Sequence, residues 1–366
     1  MKVAASRAEA DIQDLGQANA AAPPTGMWLI ARGRLSLLIH RRGLIAGAGL
    51  ALALALVSLA YLSLGNIRLS PGAVWGVMIG QGAPMEAFVV GQLRLPRLGA
   101  AIFTGAAFAL AGCLMQTLAR NRLATPGIIG IDNGATAFAV ASVVGMGISL
   151  APSAMALAGG ATAAALTFGL SLGGGARGYR FIVAGIGVGA VFAAVTQLVL
   201  ARAAIDVANA AYPWTVGTLN SRPAGATTML VVALALGLPL ALGLSRSLTL
   251  MRFSDAVASG LGVALKRRRA QVLATSVVMT ALAVAVAGPV GMVGLIGPEI
   301  ARHLCGSRRV PLVASALAGA LVMVLADLVG RLIMAPIELP VGIVTAVVGG
   351  PWLIWILIQP QRSTPR

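Results

Sequence analysis

The sequence predicts an all-α, polytopic membrane protein with about ten transmembrane helices. Three observations lead there. Of 366 residues, 58% are hydrophobic and only 10% charged, more apolar surface than a water-soluble fold can hide. Uncharged runs of about 20 residues, the length of helix that crosses a bilayer, recur along the chain. Those runs do not alternate apolar and polar residues at every second position, as the strands of a membrane β-barrel would.

The elements follow in order. Residues 1–30 are Ala-rich, with Glu9, Asp11, Asp14 and a Pro23–Pro24 pair, and read as a disordered cytoplasmic tail. No apolar stretch follows Lys2, so a signal peptide is not expected. The membrane domain is expected over 31–360. Its spans are Leu44–Gly65, Leu98–Leu118, Gly134–Leu150, Met155–Leu172, Phe181–Leu200 and Thr227–Leu244, each an apolar run between polar or charged segments. The long uncharged stretch from Val272 to Pro298 divides into Val272–Val290 and Met292–Cys305. Gly288-Pro289 argues for the break, because proline removes a backbone donor and clashes with the preceding turn. Pro298 predicts a short or bent helix in the second piece. Val310–Val329 and Val341–Ile358 complete the set.

Charge sets the orientation. With an even number of spans and the amino end inside, 21 of the 27 Lys and Arg residues fall on the cytoplasmic side and six outside. That is the bias expected of an inner face. It also accounts for the net charge of +17 without a nucleic-acid partner. Arg94, Arg97 and Arg331 are among the six outside. They either pair with lipid phosphates or with Asp327 and Glu338, or they form a cationic patch for an acidic partner arriving from outside.

Several chemistries find no support. The two lysines, Lys2 and Lys266, lie in no G-x-x-x-x-G-K-[ST] loop, so ATP phosphates are not cradled that way. Cys113, Cys305, His40 and His303 have no metal-ligand spacing, and no catalytic set of Ser, His and Asp is visible. Glu86, Asp132, Asp206, Asp255, Glu299, Asp327 and Glu338 lie near span ends or in loops, where an ion-coupled transporter would bury a carboxylate near the midplane. A pore without its own energy source is expected to borrow one. The largest cytoplasmic insertion between spans, about 248–269, could receive it. Within it, "SDAVASGLG" begins with helix-capping Ser254 or Asp255 and stops at Gly260, the pattern of a short helix in the loop. An interfacial helix with Lys266 to Arg269 on anionic lipid is the plainer reading.

Several motifs, in order, carry a resemblance. They are "RLPR" (Arg94–Arg97), "GAAFALAGCLMQTLARNRLATPGIIGIDNGA" (Gly105–Ala135), "WTVGTLNSR" (Trp214–Arg222), "GPVGMVGLIGPEIARHLCG" (Gly288–Gly306), "ADLVGR" and "ELPVGIVTAVVGGPWLIWIL" (Glu338–Leu357). Together they resemble the FecCD/BtuC-type permeases of binding-protein-dependent ABC importers, over nearly all of residues 44–358. The resemblance implies the type II importer permease fold with inverted pseudo-repeats. It also implies a second permease (a second copy or a sister subunit), two ATP-binding cassette subunits and a periplasmic or lipoprotein substrate-binding protein. ATP and Mg would reside on the ATPase, leaving this chain without a cofactor, in the bacterial inner membrane with both termini cytoplasmic.

The resemblance also assigns roles. Arg94, Arg97 and Arg331 would meet acidic residues of the binding protein. Ser254, Asp255, Ala258, Gly260, Leu261 and Gly262 would form the loop that couples to the ATPase, with Ser254 where the family usually has Gly. Gln116, Asn121 and Pro126 would shape the inner gate, or merely cap and turn the chain. Two departures stand out. The family's Pro-His is Pro298-Glu299, with Glu299 one turn from Arg302, and its Asn-Pro-Leu is Asn121-Arg122-Leu123. The expected cargo is a ferric siderophore; haem and cobalamin are alternatives within the family. A stand-alone secondary transporter and a non-transporting scaffold are alternatives outside it.

Overall fold

The computed structural model describes residues 27–32, 35–145, 150–171, 179–220, 224–306 and 310–358. Most of the expected tail, residues 1–26, lies outside these, as do Arg222, Arg308 and Arg309.

The first described element is a short hairpin that precedes an otherwise all-helical body. β1 (Met27–Arg32) and β2 (Leu35–His40) form an antiparallel hairpin in which Met27 faces His40 and Arg32 faces Leu35. Residues 27–30, expected as the end of the tail, lie in this strand. The segments are two six-residue runs rich in Leu and Ile, and a single hairpin is a weak signal beside the apolar runs that follow.

Every other described element is helical. α1 (Arg41–Ser63) is followed by α2 (Pro71–Met78) and α3 (Pro84–Phe88). A π-helical stretch, Val89–Arg94, joins α3 to α4 (Leu95–Ala119). Pro96 has no N–H to donate, so the wider helical turn sits where an ordinary bond could not form. A 3-10 turn (Pro126–Ile129) leads into α5 (Ile131–Val144), α6 (Pro152–Leu170) and α7 (Tyr179–Arg202). Then come α8 (Ile205–Ala211), α9 (Pro213–Val216), α10 (Ala224–Met251), α11 (Asp255–Gly260), α12 (Leu265–Ala287), α13 (Val293–Cys305), α14 (Leu312–Leu332) and α15 (Val341–Ile358).

Each expected span overlaps one of these helices within the described residues. Among the described residues, seven helices are long and apolar enough to cross a membrane by themselves, and the longest runs unbroken from Pro84 to Ala119. Ile131–Val144 and Val341–Ile354 are apolar but shorter. α13 has 13 residues, a rise of about 20 Å, and carries Glu299, Arg302 and His303. It falls short of a hydrocarbon layer of roughly 30 Å. The break before it lies where the sequence placed it. Gly288 takes φ +75°, a left-handed conformation that glycine alone adopts without strain, and Pro289 follows.

α4 is the central helix, packed against α10, α12, α13 and α14. Close packing here depends on missing side chains. A Cβ on Gly105 would meet Met323 Cβ at 2.6 Å and Ala320 Cα at 2.9 Å on α14, and a Cβ on Gly112 would run into the Gly294 backbone on α13. Small residues let helix backbones approach in a solvent that offers no hydrophobic drive between them. The outward faces of α7 and α10 are apolar (Ile186, Leu198, Leu236), as lipid contact requires.

Candidate functional site

Seven of the sorted arginines gather at two cavities, one at each end of α4. Arg94, Arg97 and Arg331 surround a cavity of about 730 Å³ at the Leu95 end of α4. Arg120, Arg122, Arg252 and Arg302 surround one of about 600 Å³ at its Ala119 end.

At the first end the arginines are not an open patch. Arg94 closes the π-helical stretch and is only 5% exposed. Its guanidinium donates to Leu62 O at 2.6 Å and to Ile67 O, clamping the chain that leaves α1. Arg97 grips Asp327 of α14 with two parallel bonds, Nε to Oδ2 and Nη2 to Oδ1, both 2.9 Å. Its Nη1 donates to Glu338 Oε2 at 2.7 Å. Asp327 is 1% exposed and also accepts from the Tyr61 hydroxyl at 2.6 Å. Arg331 lies over the Tyr61 ring, 4.7 Å from its centroid, and reaches Leu64 O at 3.4 Å. Of the two sequence readings for Arg97, pairing with Asp327 and Glu338 is the one the geometry displays. Arg97 is therefore already paired within its own chain, because a buried cation left alone in a membrane protein costs too much. Sequence reasoning named Asp327 and Glu338 but missed Tyr61, whose role has no local signal because Asp327 stands 266 residues away.

At the other end, α11 has the bounds expected. The Ser254 hydroxyl accepts from Val257 N at 3.2 Å, and the helix stops at Gly260. Ala258 is fully buried, Leu261 is exposed, and Gly262 turns the chain at φ +81°. Asp255 accepts from Arg120 Nη2 at 2.8 Å and from Arg269 Nη2 at 2.5 Å. Arg120 also donates to Met251 O at 2.8 Å. The short helix is thus tied to the end of α4 and the start of α12, with Val257 and Leu261 left facing outward.

The three gate candidates separate. Gln116 is 4% exposed, and its Nε2 donates to Gly294 O at 3.2 Å, joining α4 to α13. Asn121 shapes the turn after α4, its Oδ1 accepting from Leu123 N at 2.9 Å. Both line the second cavity. Pro126 opens the 3-10 turn, buried and outside the cavity wall. Glu299 bonds Arg302 at 2.5 Å, as its spacing suggested, and also meets Arg122 Nη1 at 3.3 Å, which the sequence did not suggest.

Comparison with known proteins fits this architecture. The FecCD transport family matches residues 51–359. The ferric enterobactin transport system permease protein FepG of Escherichia coli (strain K12) is 34% identical over 82% of this chain and 91% of its own length. The Fe(3+)-citrate import system permease protein YfmE of Bacillus subtilis (strain 168) is 36% identical over 88% and 98%. A solved structure, described as an inward-facing conformation of a metal-chelate type ABC transporter, superposes with a TM-score of 0.75 at 27% identity. It covers 87% of this chain and all of its own. A continuous match over most of the chain, at this identity and with this fold, has one reading: the chain belongs to the FecCD transport family.

Proposed function

We propose that the chain is the permease subunit of a binding-protein-dependent ABC importer that carries a ferric siderophore into the cytoplasm. The observation that carries the reading is the continuous similarity, at 34–36% identity, to permeases named for ferric enterobactin and ferric citrate. In this reading ten helices cross the inner membrane of a bacterium, both termini are cytoplasmic, and the halves of the chain are inverted repeats. A second permease completes the pathway, and ATP is hydrolysed on two separate subunits.

The Arg97 end then faces outward and receives the binding protein. Arg97 and Arg331 lie at the rim of that face, while Arg94 braces the chain beneath them. α11 is the contact with the ATPase, and its ties to Arg120 and Arg269 support motion as a rigid body. Gln116 and Asn121 border the inner mouth.

Cobalamin is the second reading, because the vitamin B12 import system permease protein BtuC of Shigella boydii is 35% identical over 81% of this chain. Uptake into proteoliposomes holding the permease, its ATPase and its binding protein separates the two. ATP-dependent accumulation of a ferric siderophore is expected; accumulation of cobalamin instead would replace the substrate. Uptake driven by an ion gradient without the ATPase would replace the mechanism.

A further inference from the structure

The Arg97 guanidinium is held by two carboxylates of its own chain that differ in how firmly they hold it. Asp327 takes Nε and Nη2 from a side chain 1% exposed, with the Tyr61 hydroxyl fixing one of its oxygens. Glu338 takes only Nη1, from a side chain 39% exposed in the segment between α14 and α15. The first pair is built into the helix packing. The second is a single contact at the rim of the outer cavity, where water competes.

We infer that Glu338 is a built-in competitor: it occupies Arg97 in the resting permease, in the place an acidic side chain of a docking partner would take. This rests on the docking assignment above. A guanidinium has five N–H donors, and the bonds to Asp327 and Glu338 use three. The two left open are one on Nη1 and one on Nη2. A carboxylate approaching there meets the Glu338 charge beside the same nitrogen. Charge balance gives the same sign. Arg94, Arg97 and Arg331 line this cavity, and Asp327 and Glu338 both bind Arg97, so the local excess is a single positive charge. Neutralising Glu338 doubles it. Rim charges of this kind act on encounter and on salt dependence more than on the buried core of an interface.

The test is binding of the fluorescently labelled substrate-binding protein of the same uptake system to the permease–ATPase complex in nanodiscs. Glu338→Gln, which keeps the shape of the side chain, is expected to tighten binding about three- to fivefold at low salt. The gain should shrink as ionic strength rises and disappear in the Arg97→Gln background. Glu338→Ala should act in the same direction, and the melting temperature of each variant checks the fold. Unchanged affinity in both Glu338 variants would overturn the proposal. Weaker binding would also overturn it, making Glu338 a contact for a cation on the partner. If Arg97→Gln binds like the unmodified complex, the docking assignment itself falls. If Arg97→Gln weakens binding while Glu338→Gln changes nothing, docking at Arg97 stands and only the competitor is lost.

Discussion

Arg122 and Glu299, 177 residues apart, meet at 3.3 Å between the turn after α4 and the middle of α13. These are two of the positions at which the sequence departs from the pattern it otherwise resembles, with arginine in place of proline and glutamate in place of histidine. Each departure introduces a charge, and the fold sets the opposite charge beside it. Arg302 completes the set from the next turn of α13.

Charge reversal at either residue alone, Arg122→Glu or Glu299→Arg, should lower uptake, and the double exchange should recover only a small part of it, because Arg302 stays beside position 299. Arg122 is 66% exposed, so the coupling energy of the pair is expected to be small, about 0.5 kcal/mol. A double-mutant cycle on thermal unfolding in detergent measures it.

Asp327→Asn should destabilise the fold by about 3 kcal/mol, because it leaves the Arg97 guanidinium with a neutral partner in a buried site. Tyr61→Phe removes one bond to the same carboxylate and should cost about 1–2 kcal/mol. Melting of the purified permease should rank the two in that order.

The α4–α13 contact has no room for a side chain at Gly112. Gly112→Val should force the helices apart, with a loss of about 1–3 kcal/mol or failure to fold. A Gly99→Ala control on the same helix, where a Cβ meets nothing within 4 Å, should fold normally. The yield of monodisperse protein on size exclusion distinguishes them.

Ala258→Trp should deform α11 from within, since Ala258 is fully buried beneath it. Expected is ATP hydrolysis by the assembled complex that no longer drives uptake. Ser254→Ala removes the cap at Val257 N and should produce a milder form of the same defect, about 1 kcal/mol of helix stability. Parallel assays of hydrolysis and uptake check both.

What the sequence revealed depended on range. Helix positions, the Gly288-Pro289 break, the Ser254 cap and the Glu299–Arg302 bond are local, written in hydropathy, turn chemistry and i,i+3 spacing. The grouping of arginines at two ends was also legible, because membrane charge bias sorts them without knowledge of packing. Pairing of Arg97 with Asp327 was one of the two readings that sorting left open; the Tyr61–Asp327 bond and the Arg122–Glu299 pair were not legible, since each joins residues more than 170 positions apart. Burial of Arg94 was hidden for another reason. Its partners are backbone carbonyls, which every residue has, so no residue type announces them. The hairpin at 27–40 was masked by the stronger apolar pattern beginning at α1.

α4 (Leu95–Ala119) holds Arg97 near one extremity and borders Arg120 at the other. From Arg97 to Arg120 it rises about 35 Å without a proline or a hinge, and Arg120 grasps the aspartate that starts α11. One strut therefore touches both opposite faces of the molecule. In the proposed arrangement a tilt of α4 at the first face would displace the second with no relay of side chains in between.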